Sequence, residues 1–141
     1  MQDEGFTWRT AAVLLARLIF AGIFTMAAAF KFAGMGGTAD YIAAAGFPAA
    51  TVLAWCAALF ETALVLCFLT GAFFSPAALL AGAYVIFLAF TFHGPGHWAA
   101  NQAEFGSFVD HFTFLAGLLF AAAHGPGRFS LALGRGVGAG S

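Results

Sequence analysis

The stretch TAAVLLARLIFAGIFTMAAAF, residues 10–30, decides the fold of this chain. A helix needs about 20 predominantly apolar residues to cross the hydrocarbon core of a bilayer, and this stretch has that length with one charged residue, Arg17. A second stretch, AATVLAWCAALFETALVLCFLT, covers residues 49–70 and also contains one charged residue, Glu61. The two stretches therefore predict two membrane-spanning helices, each with a single charge inside it.

The composition of the whole chain agrees with a membrane protein. The chain is 62% hydrophobic and only 8% charged, whereas about 25% of the residues of a soluble domain are charged. Two more apolar stretches, residues 76–92 and roughly 105–124, follow after short links. The sequence therefore predicts an all-α fold, an integral-membrane four-helix transmembrane bundle. It forms one domain over residues 1–131, followed by a flexible tail of small residues at 132–141.

The few charges predict how the bundle lies in the membrane. The formal net charge of −1, without any basic patch, argues against nucleic-acid binding. Arg9, Arg128 and Arg135 fall on the side that holds both chain termini, and Lys31 is the only Lys or Arg in the two loops on the opposite side. The positive-inside rule then predicts that both chain termini lie in the cytoplasm.

The two charges inside the apolar stretches are predicted to pair with each other. Isolated charges in hydrocarbon are costly, so they usually pair or carry function. Arg17 lies about 10 Å from the cytoplasmic end of its helix, and Glu61 lies about 13 Å from the same side. A direct Arg17–Glu61 ion pair is the expectation. Such a pair either locks two helices together or lines a path for a ligand or proton, and the sequence leaves both interpretations open.

Most of the remaining polar chemistry gathers at the opposite, outer end of the bundle. Lys31 follows Arg17 by four helical turns on the same face, and His93 ends the third apolar stretch. A histidine and a lysine can hydrogen-bond a quinone head group. The candidate residues for a quinone or other ligand are Lys31, Tyr41, His93, Trp98, Asp110 and His111. No HExxH, ExxH or paired CxxC spacing is present, so a metal site is not predicted.

The two cysteines do not predict a disulfide. Cys56 and Cys67 are eleven residues apart in one predicted helix, which separates them by about 16 Å. Bridged cysteines have Cα atoms within about 7 Å of each other. Two small apolar side chains are the simpler interpretation of this pair.

Taken in order, several of these features resemble the DoxX family of small four-helix membrane proteins. The resemblance runs over about residues 10–131. It is carried by Arg17, Lys31-Phe32, the segment Tyr41-Ile42-Ala43-Ala44-Ala45-Gly46-Phe47-Pro48, Glu61, Gly71, Pro76-Ala77-Ala78, Phe92-His93, Trp98 and Gly125-Pro126-Gly127-Arg128-Phe129-Ser130-Leu131. The chain departs from the family pattern at Gly94-Pro95-Gly96 and at Phe73-Phe74-Ser75, where relatives often carry aromatic and basic residues respectively.

The resemblance implies a role in membrane redox chemistry. The family is named for a subunit of a terminal quinol oxidase, and relatives include subunits of thiosulfate:quinone oxidoreductases and proteins tied to thiol-oxidative-stress systems. The leading hypothesis that the resemblance implies is an accessory or quinone-interacting subunit of a respiratory-type system, with a larger complex or redox partner. Its location would be the lipid bilayer of a bacterial-type cytoplasmic (inner) membrane. No haem or flavin motif is visible in the sequence, and a quinone is the one cofactor that is expected. Whether the protein is an enzyme stays open. The alternatives are a non-catalytic assembly subunit and a small solute or proton carrier.

Overall fold

The computed structural model describes residues 5–131, and the regular secondary structure in that range is helical. The predicted tail at 132–141, with Arg135, lies outside the described residues. The helices are α1 (Trp8–Ala33), α2 (Met35–Ala44), α3 (Ala50–Thr70), α4 (Phe74–His93) and α5 (Ala103–His124), with a 3₁₀ turn at Pro95–His97 between the last two.

The predicted four-helix membrane architecture is confirmed. Helices α1, α3, α4 and α5 are each long and apolar enough to cross a membrane. They correspond closely to the four apolar stretches of the sequence. The bundle therefore follows directly from hydropathy and length.

The short helix α2 is the element that the sequence analysis missed. It lies in the link between the first two spanning helices and packs against α3. Its first turn contains Gly36 and Gly37, and glycine is a poor helix former. Tertiary packing against α3 thus overrides a weak local preference.

Phenylalanine rings fill the centre of the bundle and join three helices. Phe20 and Phe24 of α1 face Phe68 of α3, with ring centroids 5.3 Å and 5.9 Å apart. Phe114 of α5 stacks on Phe20 at 5.5 Å. Small buried side chains on α4, among them Ala78, let the neighbouring helices approach closely. This aromatic layer separates Arg17 on one side from Lys31 and Glu61 on the other.

Below this layer, Arg17 completes the hydrogen bonding at the end of α3. The last carbonyls of a helix have no partner within the helix. Here the Gly71 amide donates to the Cys67 carbonyl at 2.8 Å, and the Leu131 amide donates to the Thr70 carbonyl at 2.8 Å. The two carbonyls between them, those of Phe68 and Leu69, accept from Arg17 at 2.9 Å and 2.8 Å.

Arg17 also holds the segment that follows α5. Its Nη1 donates to the Pro126 carbonyl at 3.1 Å and to the Phe129 carbonyl. This segment crosses directly over Gly71, where a Cβ atom would meet the Ser130 Cβ at 2.5 Å. Gly71 also has a φ of +75°, which favours glycine. The guanidinium is therefore a structural clamp between α1, the end of α3 and the chain after α5.

Candidate ligand-binding site

The predicted Arg17–Glu61 ion pair is wrong. Arg17 donates to backbone carbonyls, and no carboxylate among residues 5–131 forms an ion pair with it. Glu61 instead pairs with Lys31, whose Nζ lies 2.9 Å from Oε1 of the carboxylate.

The direction of the side chains explains the error. A Cα–Cβ bond in a helix tilts toward the helix N-terminus. Because α1 and α3 run antiparallel, the side chains of Arg17 and Glu61 lean away from each other, whereas those of Lys31 and Glu61 lean together. The helix ends are also not level, since Arg17 reaches the carbonyls of Phe68 and Leu69 at the end of α3.

Glu61, Lys31 and Tyr84 form a polar triad near the middle of the bundle. The Tyr84 hydroxyl donates to Oε1 of Glu61 at 2.7 Å, and Lys31 donates to the same oxygen. Glu61 is only 1% exposed, and among the described residues its Oε2 has no hydrogen-bond partner. Burying a carboxylate is costly unless it is paired with a cation and hydrogen-bonded. Lys31 and Tyr84 supply both from two other helices.

A cavity of about 800 Å³ lies beside this triad, between α1, α2, α3 and α4, and His111 of α5 also lines it. Small-molecule sites usually have volumes of about 300–1,000 Å³ and are mainly apolar with a few polar groups. Phe30, Ile42, Phe60 and Phe87 contribute to its apolar surface. The more polar side chains that line it are Lys31, Thr38, Tyr41, Cys56, Tyr84, His93 and His111. The cavity thus has the size and surface of a site for an amphipathic molecule.

Two histidines bring α4 and α5 together beside the cavity. Nδ1 of His93 bonds to Oε2 of Glu104, and Nδ1 of His111 lies 2.6 Å from the Ser107 carbonyl. The two imidazole centroids are 5.0 Å apart. The Trp98 indole donates to the His93 carbonyl at 2.8 Å and so fixes the end of α4. The rings are therefore held in place by side chains and backbone that lie outside the cavity lining.

Helix α2 supplies one wall of the cavity through Tyr41. Its ring stacks on Phe92 of α4 with the centroids 4.8 Å apart. Burial raises the pKa of the Tyr41 phenol above its ordinary value, and the nearby Glu104 carboxylate raises it further. Tyr41 therefore keeps its proton and remains a hydrogen-bond donor at neutral pH.

The predicted ligand residues divide into two groups. The first group lines the cavity and comes from four separate parts of the sequence: Lys31, Tyr41, His93 and His111. Trp98 buttresses His93 from outside the lining, and Asp110 is exposed and does not line it. Whether these residues bind a ligand stays a prediction.

Sequence reasoning missed the contribution of Tyr84 and the real partner of Glu61. A signal for Tyr84 was present, because a hydroxyl in a long apolar stretch usually finds a hydrogen-bond partner. Glu104 was noted only as one of several polar residues at this end, yet it holds His93. Over residues 5–131, no group of three His, Cys, Asp or Glu residues is placed to hold a metal ion.

Four spanning helices around a cavity near one end define a small multi-pass membrane protein. A family model described as DoxX matches residues 12–94, which is more than half of the chain, and the protein belongs to the DoxX family. No match was found among curated proteins or among solved structures. The matched region contains Lys31, Glu61 and Tyr84, whereas α5 with its Glu104 and His111 follows it.

Proposed function

We propose that the protein is a quinone-interacting accessory subunit of a membrane redox system and that the cavity receives the quinone head group. The proposal rests on the single observation that a mainly apolar cavity of about 800 Å³ brings Lys31, Tyr84 and two histidines together within a membrane bundle. An isoprenoid quinone has matching chemistry, with an apolar ring and tail and two polar oxygens.

The triad gives the cavity a fixed hydrogen-bond donor. Lys31 carries three N–H groups, and the bond to Glu61 uses one of them. Its side chain remains 21% exposed and borders the cavity. The ammonium can therefore donate to a ring oxygen while Glu61 balances its charge. Such a charge-assisted bond is shorter and stronger than one between neutral groups.

The proposal includes a partner and a location. The sequence has no haem or flavin motif, so electrons for a quinone would come from another membrane protein. The arginines Arg9 and Arg128 lie at the end of the bundle opposite Lys31, and the positive-inside rule supports an inner-membrane protein whose Lys31 end faces outward.

A pair of variants on α3 tests the proposal without touching its polar groups. Ala57 lines the cavity, whereas Ala63 is exposed on the same helix and does not line it. A phenylalanine at position 57 would fill part of the cavity. We expect Ala57→Phe to weaken binding of a decyl-substituted benzoquinone at least tenfold in nanodiscs, and Ala63→Phe to leave it unchanged. The proposal fails if the wild-type protein binds no such quinone.

A second candidate, a non-catalytic assembly subunit, has support from α5. Leu118 is the one buried residue of this helix. Only 6% of the 18 residues in its apolar stretch are buried inside the bundle, against 28% or more for the other spanning helices. Its outer surface is free to contact lipid or a helix of a larger complex. Copurification at fixed stoichiometry with another membrane protein, lost on substituting Phe120 (79% exposed) by alanine, would favour this function.

A further inference from the structure

The cavity offers different hydrogen-bonding groups in its two polar regions. In the triad region, the Tyr84 hydroxyl hydrogen is used by Glu61, and the remaining free hydrogens belong to the Lys31 ammonium. Glu61, whose Oε2 has no hydrogen-bond partner among the described residues, does not line the cavity. The triad region therefore presents a donor to the cavity, and a ligand needs an acceptor there.

The histidine region presents an acceptor. A carbonyl oxygen can only accept, so Nδ1 of His111 must carry the hydrogen in its bond to Ser107. The same reasoning places a hydrogen on Nδ1 of His93 beside the Glu104 carboxylate. Nε2 is then the other polar atom of each ring. A neutral imidazole with its hydrogen on Nδ1 has Nε2 as an acceptor, and the two rings, whose centroids lie 5.0 Å apart, place two such atoms in one part of the site.

We propose, resting on the proposed function, that His93 and His111 make the cavity selective for the reduced, hydroxylated form of the ring. A phenolic hydroxyl both donates and accepts, so a hydroquinone satisfies Lys31 with one oxygen and an imidazole Nε2 with the other. A quinone has two acceptor oxygens and leaves that Nε2 without a donor. Missing one hydrogen bond in a desolvated site reduces affinity by about tenfold.

Four ligands test this selectivity on the wild-type protein. The ligands are a trimethyl-decyl benzoquinone, its hydroquinone, and the monomethyl and dimethyl ethers of that hydroquinone, with affinities measured anaerobically in nanodiscs. We expect the hydroquinone and monomethyl ether to bind similarly, because each keeps a donor. The quinone and dimethyl ether should bind about tenfold more weakly. The monomethyl ether controls for the size of a methyl group.

The outcomes separate the two proposals. Equal affinities for all four ligands would overturn the selectivity and leave the quinone site standing, whereas binding of none of them would overturn the quinone site itself. The double variant His93→Phe/His111→Phe should bind all four ligands with similar affinity. If the double variant does not fold, as judged by its thermal unfolding, the wild-type series still decides.

Discussion

The Lys31 ammonium lies 2.9 Å from the Glu61 carboxylate and joins the end of α1 to the middle of α3. The charged residues inside the bundle therefore form two separate groups with different roles. Arg17 binds the last free carbonyls of α3. Lys31 lines the cavity, and Glu61 holds Lys31 in place. A clamp and a candidate binding site thus lie on opposite sides of the phenylalanine layer.

Removing one partner of the Lys31–Glu61 pair should destabilise the protein strongly. Lys31→Met leaves a carboxylate that is 1% exposed without its cation. Loss of one partner of a buried pair costs about 3–5 kcal/mol. We expect the lower end of this range in the free energy of unfolding, because the Lys31 side chain is partly exposed. Equilibrium unfolding in detergent measures this free energy for the wild type and the variant.

The double variant Lys31→Met/Glu61→Leu should recover most of that loss. It removes both charges together and replaces them with apolar side chains of similar size. A thermodynamic cycle over the two single variants and the double variant gives the coupling free energy. Additive single effects would contradict the pairing of these residues.

Arg17→Met should destabilise the bundle by several kcal/mol. The substitution removes every donor to the carbonyls of Phe68 and Leu69 and two bonds to the segment after α5. Each buried unsatisfied group costs about 1–3 kcal/mol. Arg9→Met is the matched control, since Arg9 is exposed on the same helix. Similar melting temperatures for the two variants would show that Arg17 is not a clamp.

Gly71→Ala should destabilise the protein, whereas Gly22→Ala should not. A Cβ at Gly71 meets Ser130 at 2.5 Å in a backbone with φ of +75°. The left-handed conformation alone costs a non-glycine residue about 1–2 kcal/mol. A Cβ at Gly22 meets nothing within 4 Å and lies in α1, where alanine is the better helix former by about 1 kcal/mol. Opposite signs of the change in unfolding free energy are the expected result.

The sequence predicts the spanning helices well because length and hydropathy determine them. It places Lys31, Tyr41, His93 and His111 in one region for a similar reason, since each lies near the same end of its helix or link. The partner of Glu61 could not be found in this way. Depth along a helix axis ignores the tilt of the Cα–Cβ bonds and assumes that the helix ends are level.

Other parts of the site depend on tertiary packing. Helix α2 forms a cavity wall although two glycines weaken its helical signal. The bond between His93 and Glu104 crosses the irregular turn between α4 and α5, whose path local preferences do not define. Such contacts become visible only when the bundle is assembled.

A cysteine in the cavity lining can report whether a ligand is bound. Cys56 lines it, while Cys67 lies elsewhere on α3 and packs against the hydrophobic core. Both cysteines are free thiols. A molecule in the cavity would shield the first thiol and leave the second as an internal control.

The most direct test of the cavity as the quinone site is maleimide labelling of these two cysteines, followed by mass spectrometry. A saturating amount of a fully substituted decyl benzoquinone, which does not add to thiols readily, should slow labelling of Cys56 at least tenfold and leave the Cys67 rate unchanged. An unchanged Cys56 rate, or an equal slowing of both thiols, would contradict the assignment of the cavity as the binding site.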